Sequence, residues 1–369
     1  MLDRVTQAVL PWALAGVLGA SLALLVILVV VQLARRLRAG RRDPLVERGH
    51  ALVIELLAVD SDEEAAGIRA ELEALRGRNW EIVVDEAFRV MPKFEGAAVE
   101  RLSSLLVERG VMESQLARLG RGSALGRARA AQNLGNARWA AAAQPIAGLL
   151  DHGDPDVRAV AVRALGQISD PSTAGAVIRA VARGGVHIGP AIEALEPMGD
   201  RISGEILSVL RDPLPEVRSV AVAVVGESRI RAALGTLHDL VVNDEDRDVR
   251  RLTALALGRI GDDTSVRYLV ASTTADPALS VALAAIEALG QITTDEAMEV
   301  LCLFAMSDDP AVGMAAANVI ADIPLVGLTT LRGLRVKAPR NVSIAAAYQR
   351  CVLASGADDP ESDPQWRVA

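Results

Sequence analysis

Aromatic side chains are scarce in this chain: three Phe, two Tyr and four Trp, or 2% of 369 residues. The core must therefore come from Ala, Leu, Val and Ile within the 51% of residues that are hydrophobic. Such small-residue packing suits helix against helix better than a β-sandwich, which takes more aromatic and β-branched alternation. Cysteine occurs only at Cys302 and Cys351, which excludes a disulfide scaffold and a Cys-rich metal cluster. Histidine occurs only at His50, His152, His187 and His238, with no two spaced i, i+4 for a shared metal. No metal and no cofactor is expected. Lysine is nearly absent (Lys93 and Lys337), so arginine carries the positive charge.

The net charge is −8, and it is unevenly spread. Residues 1–42 hold six arginines against Asp3, which leaves −13 on residues 43–369. A body that acidic argues against nucleic acid as a partner.

From Val5 to Ala34 no residue is charged. About 20 apolar residues suffice to cross a bilayer as a helix, so residues 5–34 read as a single transmembrane anchor. Arg35, Arg36, Arg38, Arg41 and Arg42 follow at once, while Arg4 alone precedes. The positive-inside bias predicts an N-terminus outside and a cytoplasmic remainder, hence a cell-membrane location. A cleaved signal peptide fits less well, because the apolar run is too long and a basic cluster follows it.

After this anchor and linker (1–42), residues 43–122 read as helical hairpins that precede and cap a longer array of repeats. Pro44 suits a first helical turn. Ser61-Asp-Glu-Glu64 reads as a capping box opening the next helix. Gly120-Arg-Gly122-Ser-Ala-Leu-Gly126 lacks the Lys of a phosphate loop and follows a helix, so it reads as a hinge. The tail 356–369 is acidic and Pro-interrupted and reads as disordered, with Trp366 as a docking residue.

From 123 to 355 the chain repeats itself. Val157-Arg-Ala-Val-Ala-Val-Arg-Ala-Leu-Gly166 is echoed by segments starting at Gly126, Val217, Val249 and Val281, loosely at Val312, and in degenerate form at His187–Glu196. The closing positions 135, 166, 196, 226, 258, 290 and 321 are 30 to 32 apart. That period predicts an all-α solenoid of helix pairs. Positions one, four, five, eight and nine of each copy form the buried face, and the closing Gly reads as a C-terminal cap. The turns before these helices carry Asp-Pro: Asp154-Pro155, Asp212-Pro213, Asp276-Pro277 and Asp309-Pro310.

The pattern Asp-Pro-x-x-Val-Arg-x-x-Ala-x-x-Ala-Leu-Gly resembles bacterial HEAT-repeat proteins, of the subtype named after phycobilisome lyase HEAT-like repeats. The resemblance covers about 123–325 and implies an α-solenoid. It also implies a ladder between repeats in which a turn Asp meets the Arg at position two. Arg127, Arg158, Arg218 and Arg250 take the Arg position; Asp212 with Arg218 and Asp244 with Arg250 fit the spacing. Ala282 and Gly313 replace the Arg further on, so the ladder is expected to break there.

No catalytic set emerges. None of the four histidines precedes a Glu, so the His-Glu dyads of HEAT-type iron hydroxylases are missing. The expected role is a non-catalytic, membrane-tethered scaffold that binds a protein partner. The alternative is a lyase or transferase on the same fold. In HEAT solenoids the second helix of each pair lines the groove, which places positions three and seven there. In the later repeats these positions include Arg251 and Leu255, Leu283 and Glu287, and Met314, an apolar surface able to take an amphipathic segment. Membrane-anchored bacterial proteins that look like this one are often associated with family 2 glycosyltransferases of cell-surface polysaccharide assembly, so the resemblance implies a partner of that kind.

Overall fold

The computed structural model describes residues 44–59, 61–94 and 96–355. All regular structure among them is helical. They fall into two compact units, divided between Val111 and Met112.

The first unit holds α1 (Pro44–Ala58), α2 (Asp62–Ala74), α3 (Gly77–Val90) and α4 (Ala97–Glu108). α1 packs on each of the other three. Leu52, Val53, Leu56 and Leu57 recur at helical spacing and are buried, as are Leu72, Val83, Leu102 and Leu105. Ser61 occupies the N-cap of α2, but its side chain makes no capping hydrogen bond, so the expected capping box does not form.

The second unit is a row of helix pairs. The first helices are α5 (Val111–Arg121), α7 (Ala143–Ala147), α9 (Ala174–Ala182), α11 (Ser203–Val209), α13 (Leu234–Asn243), α15 (Val266–Ala275), α17 (Asp295–Ala305) and α19 (Gly327–Lys337). Their partners are α6 (Ala124–Asn136), α8 (Pro155–Ile168), α10 (Ile188–Leu195), α12 (Pro215–Glu227), α14 (Arg247–Ile260), α16 (Leu279–Gln291), α18 (Pro310–Asp322) and α20 (Val342–Ser355). Each second helix packs on the next along the row. Within this unit Gln115 of α5, itself buried, accepts from the Asn133 amide of α6 at 3.4 Å.

Expectation and structure differ over the glycines that close each copy. Gly135, Gly166, Gly226 and Gly258 lie inside their helices and do not cap them. A Cβ on any of them would stand 2.7–2.9 Å from the Cα of an Ala in the next second helix: Ala164, Ala194, Ala256 and Ala288 in turn. The glycines are there for close helix approach. The chain reverses three residues later, where Arg138, Ser169, Arg229 and Gly261 adopt left-handed φ of 50° to 71°. The degenerate copy has Glu196 in place of the Gly. There α10 is only eight residues long and runs into a kinked 3-10 stretch with Gly199 at φ 54°.

The predicted cell-membrane location is corrected: among the described residues no helix is long and apolar enough to cross a membrane. Residues 5–34, on which that prediction rests, lie outside the described residues, as does the tail 356–369.

Candidate functional site: the face of the second helices

Burial along the repeated segment fixes which side chains remain available. Positions five and nine are buried in every copy from Gly126 to Val312. Position six is buried too, as Val162, Val222, Ala254, Ile286 and Ala317, which the expected face omitted. Position four, expected inside, is half-buried as Val160, Val220, Leu252 and Ala315. The reason is geometric. A second helix in the middle of the row touches its own first helix and a second helix on either side, so burial covers three sides. What remains open is a stripe at positions three, four and seven.

On α14, α16 and α18 that stripe is mainly apolar. Leu255 and Leu283 are half-buried, and Met314 is exposed. α14 packs on α16 and α16 on α18; Leu283 and Met314 hold the same position, three, on neighbouring helices, whereas Leu255 stands at position seven, the place Glu287 takes on α16. Leu252, half-buried, and Leu279, 48% exposed, extend the same surface; the spacing rule missed both. Arg251 is half-buried and sits 3.6 Å from Asp248 on its own helix. Glu287 is exposed. The edge of the row is tied by polar contacts between repeats: Gln167 donates to Asn136 at 3.2 Å, Arg259 meets Glu227 at 3.0 Å, and Arg350 donates to Asp322 at 3.1 Å.

The ladder forms, with different pairings from those expected. Arg218 does not meet the carboxylate of Asp212 in its own repeat. It donates to the Asp212 carbonyl at 2.9 Å and grips both carboxylate oxygens of Asp244, in the next repeat, at 2.7 and 2.8 Å. Arg250 likewise donates to the Asp244 carbonyl at 2.8 Å and clasps Asp276 at 2.6 and 3.0 Å. The Asp212 carboxylate accepts from Arg179 of α9 at 3.1 Å. Each acid also accepts from the backbone amide two residues on, Leu214, Asp246 and Ala278. A separate set of acids, Asp154, Asp246 and Asp309, caps the second helices.

Arg158 and Arg127 reach only backbone in this pattern: Arg158 the Gly185 and His152 carbonyls at 2.5 and 2.7 Å, Arg127 the Gly122 carbonyl at 2.9 Å. Beyond Asp276 the ladder ends, as Ala282 and Gly313 predict. Burial pushes the Asp276 carboxyl up, but Arg250 and the Ala278 amide outweigh it and hold it below the usual carboxylate range. Asp244, also buried, helps raise the Arg218 guanidinium above its ordinary value through their hydrogen bonds. These residues link one repeat to the next.

Other chemically notable groups sit inside the fold. His238 of α13 is buried, stacks on Tyr268 of α15 with ring centroids 4.1 Å apart, and bonds Ser265 Oγ at 3.0 Å. Burial and then the nearby Arg267 charge lower its pKa. Ser265 is itself fully buried, which closes this pair to a substrate. In the first unit Glu86 is buried between His50 and Arg89. Burial pushes the thiols of Cys302 and Cys351 up, away from an activated nucleophile. Among the described residues no group of His, Cys, Asp and Glu could hold a metal ion.

These features define a class first: a solenoid of paired helices, joined by buried Arg–Asp links and glycine-mediated contacts. The chain carries HEAT repeats, matched at residues 113–196 and 205–288, and a PBS lyase HEAT-like repeat at 281–304. The gap at 197–204 falls on the kinked stretch after α10. No curated protein matches the chain. Similar solved structures include the karyopherin Kap121p bound to the SUMO protease Ulp1p, with 13% identity and a TM-score of 0.49, over 83% of this chain and 41% of that one. Kap121p bound to Nup53p gives 14% and 0.49, over 80% and 38%. An engineered protein gives 19% and 0.32, over 82% and 98%. The chain thus spans about two fifths of the Kap121p structures it matches.

Proposed function

We propose that the chain is a non-catalytic scaffold that binds a protein partner through the stripe on α14, α16 and α18. One observation carries this reading. Leu252, Leu255, Leu279, Leu283 and Met314 remain partly or well exposed on adjacent helices, whereas positions five, six and nine of the same helices are buried. A row of apolar side chains on neighbouring rigid helices matches the periodic anchors of an amphipathic helix or extended segment. Arg251 and Glu287 flank it with opposite charges, which favours a partner of mixed sign. A glycosyltransferase complex of cell-surface polysaccharide assembly, the partner implied by the family resemblance, is the first candidate for testing.

The test is a Leu283→Glu/Met314→Glu variant, checked for folding by helix content and melting. Binding of an identified partner should weaken at least ~30-fold, equivalent to about 2 kcal/mol. A partner retained at unchanged affinity by the folded variant would overturn the assignment. Because the anchors are apolar, binding should also persist from about 0.1 to 0.5 M salt.

A further inference from the structure

The row of first helices opens where the row of second helices stays closed. α13 packs on α15, and α15 on α17. Between α17 and α19 lies a cleft of about 480 Å³. Its apolar lining is Met298, Cys302, Leu303 and Met306 from one helix and Gly333 and Leu334 from the other, with Glu299, Thr329 and Thr330 as polar lining. Leu303 is 65% exposed and Met306 37% exposed, in a chain that buries most large apolar side chains of its array. Gly333 has open space where a Cβ would stand, so the α19 wall is flat there. Two methionines and a flat wall suit a planar aromatic ring, since thioethers adapt their shape and contact rings favourably.

The two walls of the cleft differ in charge: α17 carries Asp295, Glu296 and Glu299 and no base, with Glu299 lining the cleft, whereas the α19 side is basic. From Ile323 to Gln349 there are four cations, Arg332, Arg335, Lys337 and Arg340, and no acid. Lys337 lines the cleft itself. The chain beyond α20 has the opposite character. Residues 356–369 carry Asp358, Asp359, Glu361 and Asp363 against Arg367, and a single aromatic residue, Trp366. Ten residues separate Ser355 from Trp366 and can span up to about 33–36 Å when extended. α19, which forms one wall, is only ~16 Å long.

We propose that residues 356–369 of the same chain dock in the α17–α19 cleft, with Trp366 between Met298, Leu303 and Met306 and the acidic run against Lys337 and its basic neighbours. Docking makes the cleft a self-occupied site, so any outside ligand for this face must displace the tail. It is separate from the stripe on the second helices, and each stands without the other.

Cys302 reports on the cleft, because a seated tail shields its thiol. Alkylation of Cys302, followed by peptide mapping, is compared in three forms: the full chain, a chain ending at Ser355, and Trp366→Ala. The expected result is at least fivefold faster alkylation in the truncated and Trp366→Ala forms, with protection restored to the truncated chain by a peptide of residues 356–369. Protection in the full chain should not change with protein concentration. Equal rates in the full and truncated chains would overturn the proposal. Protection lost on dilution would also overturn it, and would assign the cleft to a second copy.

Discussion

At the scale of single residues, the joints between repeats rest on two kinds of contact with opposite tolerances. Gly258 leaves no room for a side chain, since a Cβ would lie 2.7 Å from the Ala288 Cα and 2.8 Å from its Cβ. Alanine has the better helix propensity, by about 1 kcal/mol, but the clash is with backbone and overpacking costs about 1–3 kcal/mol. Gly258→Ala should therefore destabilise, while Gly333→Ala, in open space within α19, should stabilise by up to about 1 kcal/mol; urea denaturation of the two variants compares the signs directly. The Arg–Asp links behave differently. The Arg250 and Asp276 side chains are 11% and 5% exposed, so Arg250→Ala strands a buried carboxylate and should cost about 3 kcal/mol. The Arg183–Asp151 pair is 52% and 70% exposed, and Arg183→Ala should cost less than about 1 kcal/mol by the same measurement.

Residue spacing made the Arg positions legible, and it located the break after Asp276. It did not show which carboxylate each Arg meets, because spacing along the chain relates an Arg to the acid in its own turn and says nothing of the acid one repeat away. The closing Gly was misread for a related reason. A Gly at a helix end and a Gly at a helix crossing look alike until the neighbouring helix is placed against it.

At the scale of elements, helix pairs and their period were plain in the chain, whereas the face of each helix was only partly so. A periodic apolar pattern marks one side of a helix, but a helix inside a solenoid is covered on three. Position six therefore went inside and position four came partly out, which added Leu252 to the stripe. The same view singles out α10. It lacks the closing Gly, is the shortest of the second helices, and gives way to a kinked stretch at Gly199. Fewer joints hold this element, so its amides and those of 196–204 should exchange with solvent hydrogen at least tenfold faster than those of α14 and α16. Hydrogen exchange read by mass spectrometry checks this; equal protection along the row would count against a weak joint here.

At the scale of the whole molecule, stability should respond to acid in two stages. Burial keeps His238 neutral, with a pKa below the ordinary value near 6.5. Its contribution is complete above about pH 6.5 and is lost as pH falls through the lowered value. Asp276 and Asp262, the latter held low chiefly by the Thr264 hydroxyl, keep their contribution until pH drops below about 4, and lose it through their own depressed values. Denaturation midpoints from about pH 8 to pH 3 should show both declines, and His238→Phe, which keeps a ring against Tyr268, should abolish only the first.

The contact between closing Gly and following Ala has one more consequence. α8 and α14 each offer a notch to the successor (Gly166, Gly258) and a small knob to the predecessor (Ala164, Ala256), and both belong to the same ten-residue segment. Either of these two copies can therefore follow the other without refitting. Duplication of one 30- to 32-residue stretch would insert a new segment with both mating surfaces already cut, and loss of one would let its neighbours close up. Array length is thus free to drift by whole units, while the spacing between units stays fixed.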